Sequence, residues 1–134
     1  MLLAILLSPD AKFLNSHTNK KLSEVEFGVD NLETIFEMQR TLAEFIKSPR
    51  YPAEKEQRIS ALSTAIIHEA IELQRLTNWK WWKKPVSFDE DMAKEELIDI
   101  WHFVIQASLE LGMTPSDVLK EYSRKNQINR DRQK

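Results

Sequence analysis

The sequence predicts an all-α fold, a four-helix bundle, and three observations carry that expectation. Apolar residues recur at spacings of three and four through long stretches beyond residue 30. Those stretches follow one another with no evident strand between them. The 134 residues include only two glycines and five prolines, too few for a turn-rich β architecture.

The first helix is expected over about residues 32–47, where Ile35, Met38, Leu42 and Phe45 share one stripe. "SPRYP" stops it, because Pro49 and Pro52 lack the amide a continuing helix needs. The second spans about 53–76, with Ile59, Leu62, Ile66, Leu73 and Leu76 in register. The third opens at "SFDE", where Ser87 and Glu90 have capping-box spacing, and runs to Leu111 before Gly112. Leu97, Ile98, Ile100, Trp101, Phe103 and Val104 cover most of its circumference, which predicts a central position. Thr114 then caps a fourth helix with Pro115 in its first turn.

Residues 1–30 read as an N-terminal arm ahead of one domain over 31–134. The apolar opening "MLLAILL" is too short to cross a bilayer and lacks a basic leader, so a packed arm or a dimer contact is expected. Hydrophobic residues at 42% and charged residues at 30% describe a globular, soluble chain with no membrane partner. A net charge of -2 gives no reason to expect nucleic acid as a partner. With no cysteine, disulfides and thiolate metal sites are excluded, which is compatible with a cytoplasmic location.

The carboxylates carry the chemistry. Glu69 stands on the apolar stripe of the second helix, where a leucine would be expected, and Glu72 follows three residues on. Glu96 and Asp99 repeat that arrangement in the third helix. Two carboxylates ~4 Å apart repel by roughly 4 kcal/mol at an effective dielectric of about 20. Four converging ones would take up protons or spread apart unless a cation neutralised them. An oxygen-only ligand set suits a hard ion, Mg²⁺ or alternatively Mn²⁺.

E-x-x-E, 23 intervening residues, then E-x-x-D resembles the metal signature of the all-α nucleoside triphosphate pyrophosphatases, the MazG-like superfamily. Further segments are similar to its dimeric dUTPase branch. "FEMQRTL" matches a first-helix motif at Gln39, and "NWKWWKK" a lysine–tryptophan segment at Lys80 and Trp82. "EELIDIWHF" matches at His102 and Phe103, and "YSRKNQINRDRQ" a carboxy-terminal motif at Lys125, Asn129 and Arg132.

The resemblance implies a homodimeric, Mg²⁺-dependent pyrophosphatase acting on a nucleoside triphosphate, dUTP first among them. It implies that Glu69, Glu72, Glu96 and Asp99 are metal ligands, with Glu72 or Glu69 as the base that activates water for attack at the β-phosphorus. Gln39, Trp82 and His102 would meet base or sugar; Lys80, Lys125, Asn129 and Arg132 would meet phosphate. From the residues alone, His102 reads rather as a buried histidine with a satisfied ring nitrogen, and the fourth-helix cations equally as a solvated terminus; the resemblance turns His102 towards base recognition. Ala43 stands where the branch usually has Asn, which keeps another nucleotide such as dCTP as an alternative substrate. A non-catalytic helical interaction module, with Trp79 and Trp81 as anchors, is the alternative from a different class.

Overall fold

The computed structural model describes residues 30–134. The expected N-terminal arm, apart from Asp30, lies outside the described residues. Four helices make up the described chain: α1 (Asn31–Ile46), α2 (Lys55–Arg75), α3 (Glu90–Glu110) and α4 (Pro115–Asp131). No strand occurs among the described residues.

Three of the four helix starts carry a side-chain cap. The Asp30 carboxylate accepts from the Leu32 amide at 2.9 Å and starts α1. That helix ends at Lys47, which takes a left-handed conformation with φ 36° even though it is not a glycine. Helix α2 starts two residues later than the expected position, behind Glu54. The capping box expected from Ser87 and Glu90 does not form: Asp89 is the cap, accepting from the Met92 amide at 3.0 Å. The cause lies upstream. Asn78 accepts from the Val86 amide at 2.9 Å and donates to the Val86 carbonyl at 3.0 Å, which holds the approach to α3 extended. A carboxylate also suits the positive helix end better than a hydroxyl.

At the far end of α3, Gly112 with φ 73° donates to Leu109 at 2.9 Å and Met113 donates to Ser108 at 2.9 Å. This is a Schellman motif, and it needs the positive φ that glycine takes without strain. Thr114 and Asp117 then form a reciprocal capping box for α4, with Pro115 as its first residue.

Helix α3 packs chiefly on α2 and also on α1, the central position its composition implies; α4 touches α1 lightly. Phe36, Leu62, Ala93 and Ile105 are the buried apolar residues of the described chain. Each large one contributes about 1.5–3 kcal/mol. The apolar circumference of α3 is only partly covered, because Leu97, Ile98, Trp101 and Val104 remain exposed.

The α1–α2 connection is tied to α3 by one ion pair. Arg58 Nε donates to Glu110 Oε2 at 2.7 Å, with both side chains largely buried. Its Nη1 donates to the carbonyls of Pro52 (3.2 Å) and Ala53. Glu110 sits at the negative end of α3, where a carboxylate is unfavourable without such a partner. Arg58→Met is therefore expected to cost about 2–3 kcal/mol, because it leaves a half-dry carboxylate without its cation. Urea denaturation would show it as a lower midpoint with unchanged slope.

Candidate active site

Helices α2 and α3 bring their acidic pairs together. Glu69, Glu72 and Glu96 each offer a carboxylate oxygen, and these oxygens lie within 4.8 Å of one another. Glu69 is 0% exposed, so a charged group occupies a position as dry as the Phe36 ring. Both of its oxygens, and Glu96 Oε2, are buried without a hydrogen-bond partner. A buried polar atom left unpaired costs about 1–3 kcal/mol, more when charged. Burial holds the Glu69 carboxyl above its ordinary range, and the neighbouring charges of Glu72, Asp99 and Glu96 push it the same way. Asp99 thus stands close enough for its charge to act on Glu69, although it is outside the tight triplet.

That arrangement fits a hard divalent cation. The donors are oxygen only, and the buried oxygens of Glu69 and Glu96 would gain the hydrogen-bond or ligand partner they lack. A merely structural acidic patch would sit in water.

Less than one turn beyond Asp99, His102 Nδ1 lies 2.8 Å from Gln39 Oε1 of α1. Gln39 is buried, so the pair fixes the α1–α3 register as well as each side chain. Both residues border a cavity of about 320 Å³, with apolar walls from Ile35, Met38, Ile98, Trp101 and Ile105. Such a volume, apolar with a few polar groups, is of the kind that holds small molecules. Ala43 does not line it; it borders a separate recess beside Tyr51, Gln106 and Glu110.

The remaining candidates are dispersed. Trp82 is exposed on the α2–α3 loop, edge-on to Trp79 at 5.9 Å and Trp81 at 5.7 Å. Lys80 Nζ lies 5.0 Å from the Trp79 ring centroid. With Arg75, Lys83 and Lys84 it borders a second, cationic recess of about 370 Å³. Lys125, Asn129 and Arg132 are all exposed at the end of the chain. The structure therefore unites Glu69, Glu72 and Glu96, and separately Gln39 with His102, while Lys80 and Trp82 lie on the α2–α3 loop and the cations on α4.

A family model of dUTPases matches residues 31–115, more than half of the chain. The chain belongs to the all-α dUTPase family. The match covers α1 to α3 and both acidic pairs of this dUTPase-family chain, and ends at the first residue of α4. Comparison with curated proteins and with solved structures returns no match. The family supports a function of the dUTPase or nucleotide-pyrophosphatase type. No helix among the described residues is long and apolar enough to cross a membrane.

One group escapes a reading of the sequence. Gln39 Nε2 donates to Gln106 Oε1 at 3.0 Å, and Gln106 Nε2 donates to Glu110 Oε1 at 3.1 Å. Tyr51 donates to the same Glu110 oxygen at 2.7 Å. A signal does exist: His102, Gln106 and Glu110 form a polar row at i, i+4, i+8 through the mostly apolar second half of α3.

Proposed function

We propose that the chain is a Mg²⁺-dependent nucleoside triphosphate pyrophosphatase that hydrolyses dUTP to dUMP and pyrophosphate. The observation that carries this reading is the fully buried Glu69, with both oxygens unpartnered beside Glu72 and Glu96. Glu69, Glu72, Glu96 and Asp99 hold the metal. When bound, Mg²⁺ (or Mn²⁺) supplies charge neutralisation for the triphosphate and acidifies water. Glu72, less buried than Glu69, accepts the proton from the attacking water at its carboxylate.

Gln39 and His102 present fixed polar groups to the base at the apolar cavity, with Trp82 as a stacking surface. Lys80, Lys125, Asn129 and Arg132 meet phosphate oxygens, Arg132 through a guanidinium fork. The apolar faces left open on α1 and α3, with Ile35, Met38, Phe45, Leu97 and Trp101 exposed, favour a homodimer.

Pyrophosphate release from dUTP, dCTP, dTTP and UTP, with and without Mg²⁺, tests the assignment. Preference for dUTP and loss of turnover on chelation are expected. Equal rates on all four nucleotides would reject dUTP selectivity while sparing the pyrophosphatase chemistry. Absence of any metal-dependent release would reject both.

A further inference from the structure

Glu110 is the last residue of α3, away from the acidic cluster. We propose that Glu110 is a positioning residue that sets the tautomer of His102 through Gln106 and Gln39, making Nε2 of the ring a hydrogen-bond acceptor. It rests on the reading of His102 as a base contact only for its consequence in substrate selection; the tautomer itself follows from hydrogen-bond polarity.

Each link forces the next. Glu110 receives Arg58 Nε at one oxygen and the Tyr51 hydroxyl at the other, and as a carboxylate it can only accept. Burial opposes its charge, but the hydrogen bonds from Tyr51, Arg58 and Gln106 outweigh it and hold its carboxyl below the ordinary range. Gln106 must therefore face Glu110 with its NH₂, at 3.1 Å. That turns its carbonyl oxygen toward Gln39, which must donate its own NH₂, at 3.0 Å. The Gln39 oxygen is left to face His102 at 2.8 Å, so Nδ1 carries the proton. A neutral ring then has its lone pair on Nε2. Ala43, which borders the recess beside Gln106 and Glu110, brings no polar side chain to compete with the relay.

The same logic makes an isosteric test. In Glu110→Gln, the obligate donor Arg58 Nε selects the new amide oxygen, so the new NH₂ faces Gln106. Gln106 and Gln39 must each turn by half a rotation, and Gln39 then presents NH₂ to Nδ1. His102 is forced into the Nε2–H form, three hydrogen bonds from the substitution. Long-range ¹H–¹⁵N correlation spectra of the imidazole ring read the tautomer directly, at a pH where the ring is neutral. A His102→Asn sample assigns the signal among the three histidines of the chain.

Wild type is expected to show Nδ1–H and Glu110→Gln to show Nε2–H. Tyr51→Phe, which removes a donor without altering polarity, is expected to keep the wild-type form. Gln106→Leu cuts the relay and is expected to give mixed tautomers, so the proposal stays testable if Glu110→Gln does not fold. An unchanged Nδ1–H signal in Glu110→Gln, or in Gln106→Leu, overturns it. With dUTP, Glu110→Gln is expected to raise KM at least about tenfold with kcat within about twofold, since it alters recognition rather than chemistry. A reversed tautomer with unchanged KM supports the relay and overturns His102 as a base contact.

Discussion

Glu72→Gln is expected to reduce pyrophosphate release from dUTP by about 10²–10⁴-fold, the usual loss when a positioned general base is removed. The amide keeps the shape of the side chain but can neither take up a proton from water nor neutralise a cation. Glu72 is half-buried on α2, away from the buried contacts of Leu62, so helix content without metal should change little. Circular dichroism and a pyrophosphate-release assay on the same sample separate the two effects. Retention of most of the activity would remove Glu72 from the mechanism and leave Glu69 as the remaining base.

The second large effect is on stability. Glu69→Gln should stabilise the metal-free protein at neutral pH by about 1–3 kcal/mol, because it removes a buried charge that has no hydrogen-bond partner. The sign of the pH dependence follows from burial, which raises the Glu69 carboxyl above the ordinary 4.5 in the folded state. Below about 4.5 both states hold the proton and the penalty is absent. As pH rises from there through the raised value, the unfolded chain releases its proton first and the metal-free fold loses stability. The Gln variant should lose this part of the slope. Millimolar Mg²⁺ should raise the wild-type melting temperature and leave Glu69→Gln nearly unchanged. Glu69→Leu provides the control for a non-catalytic bundle: a gain in stability with undiminished turnover would mean the position serves only packing. No melting response to Mg²⁺ in wild type would count against the metal site itself.

Most of the helical architecture is legible in the sequence because it rests on local rules. Gly112 and Thr114 act within a few residues of the ends they define, and the apolar stripes need only helical periodicity. The start of α3 is not legible, because Ser87 and Asp89 both have capping chemistry. Asn78, eight residues before Val86, decides between them by clasping the Val86 backbone and so holding the approach to α3 extended. The acidic cluster is legible because a glutamate on an apolar stripe conflicts with its surroundings, and such conflicts mark sites. The Glu110 relay is not, since Tyr51, Arg58 and Gln39 reach it across sequence separations that no spacing rule connects.

Asn78 has one more consequence. Its amide mimics a peptide unit, offering Val86 a donor and an acceptor side by side, so the chain is pinched shut at the neck of the segment carrying Trp79, Lys80, Trp81 and Trp82. Aspartate could supply only half of that clasp, and alanine none. The indole cluster is thereby carried on a loop closed at its base, and a group that stacked on it would spend little entropy arranging the rings.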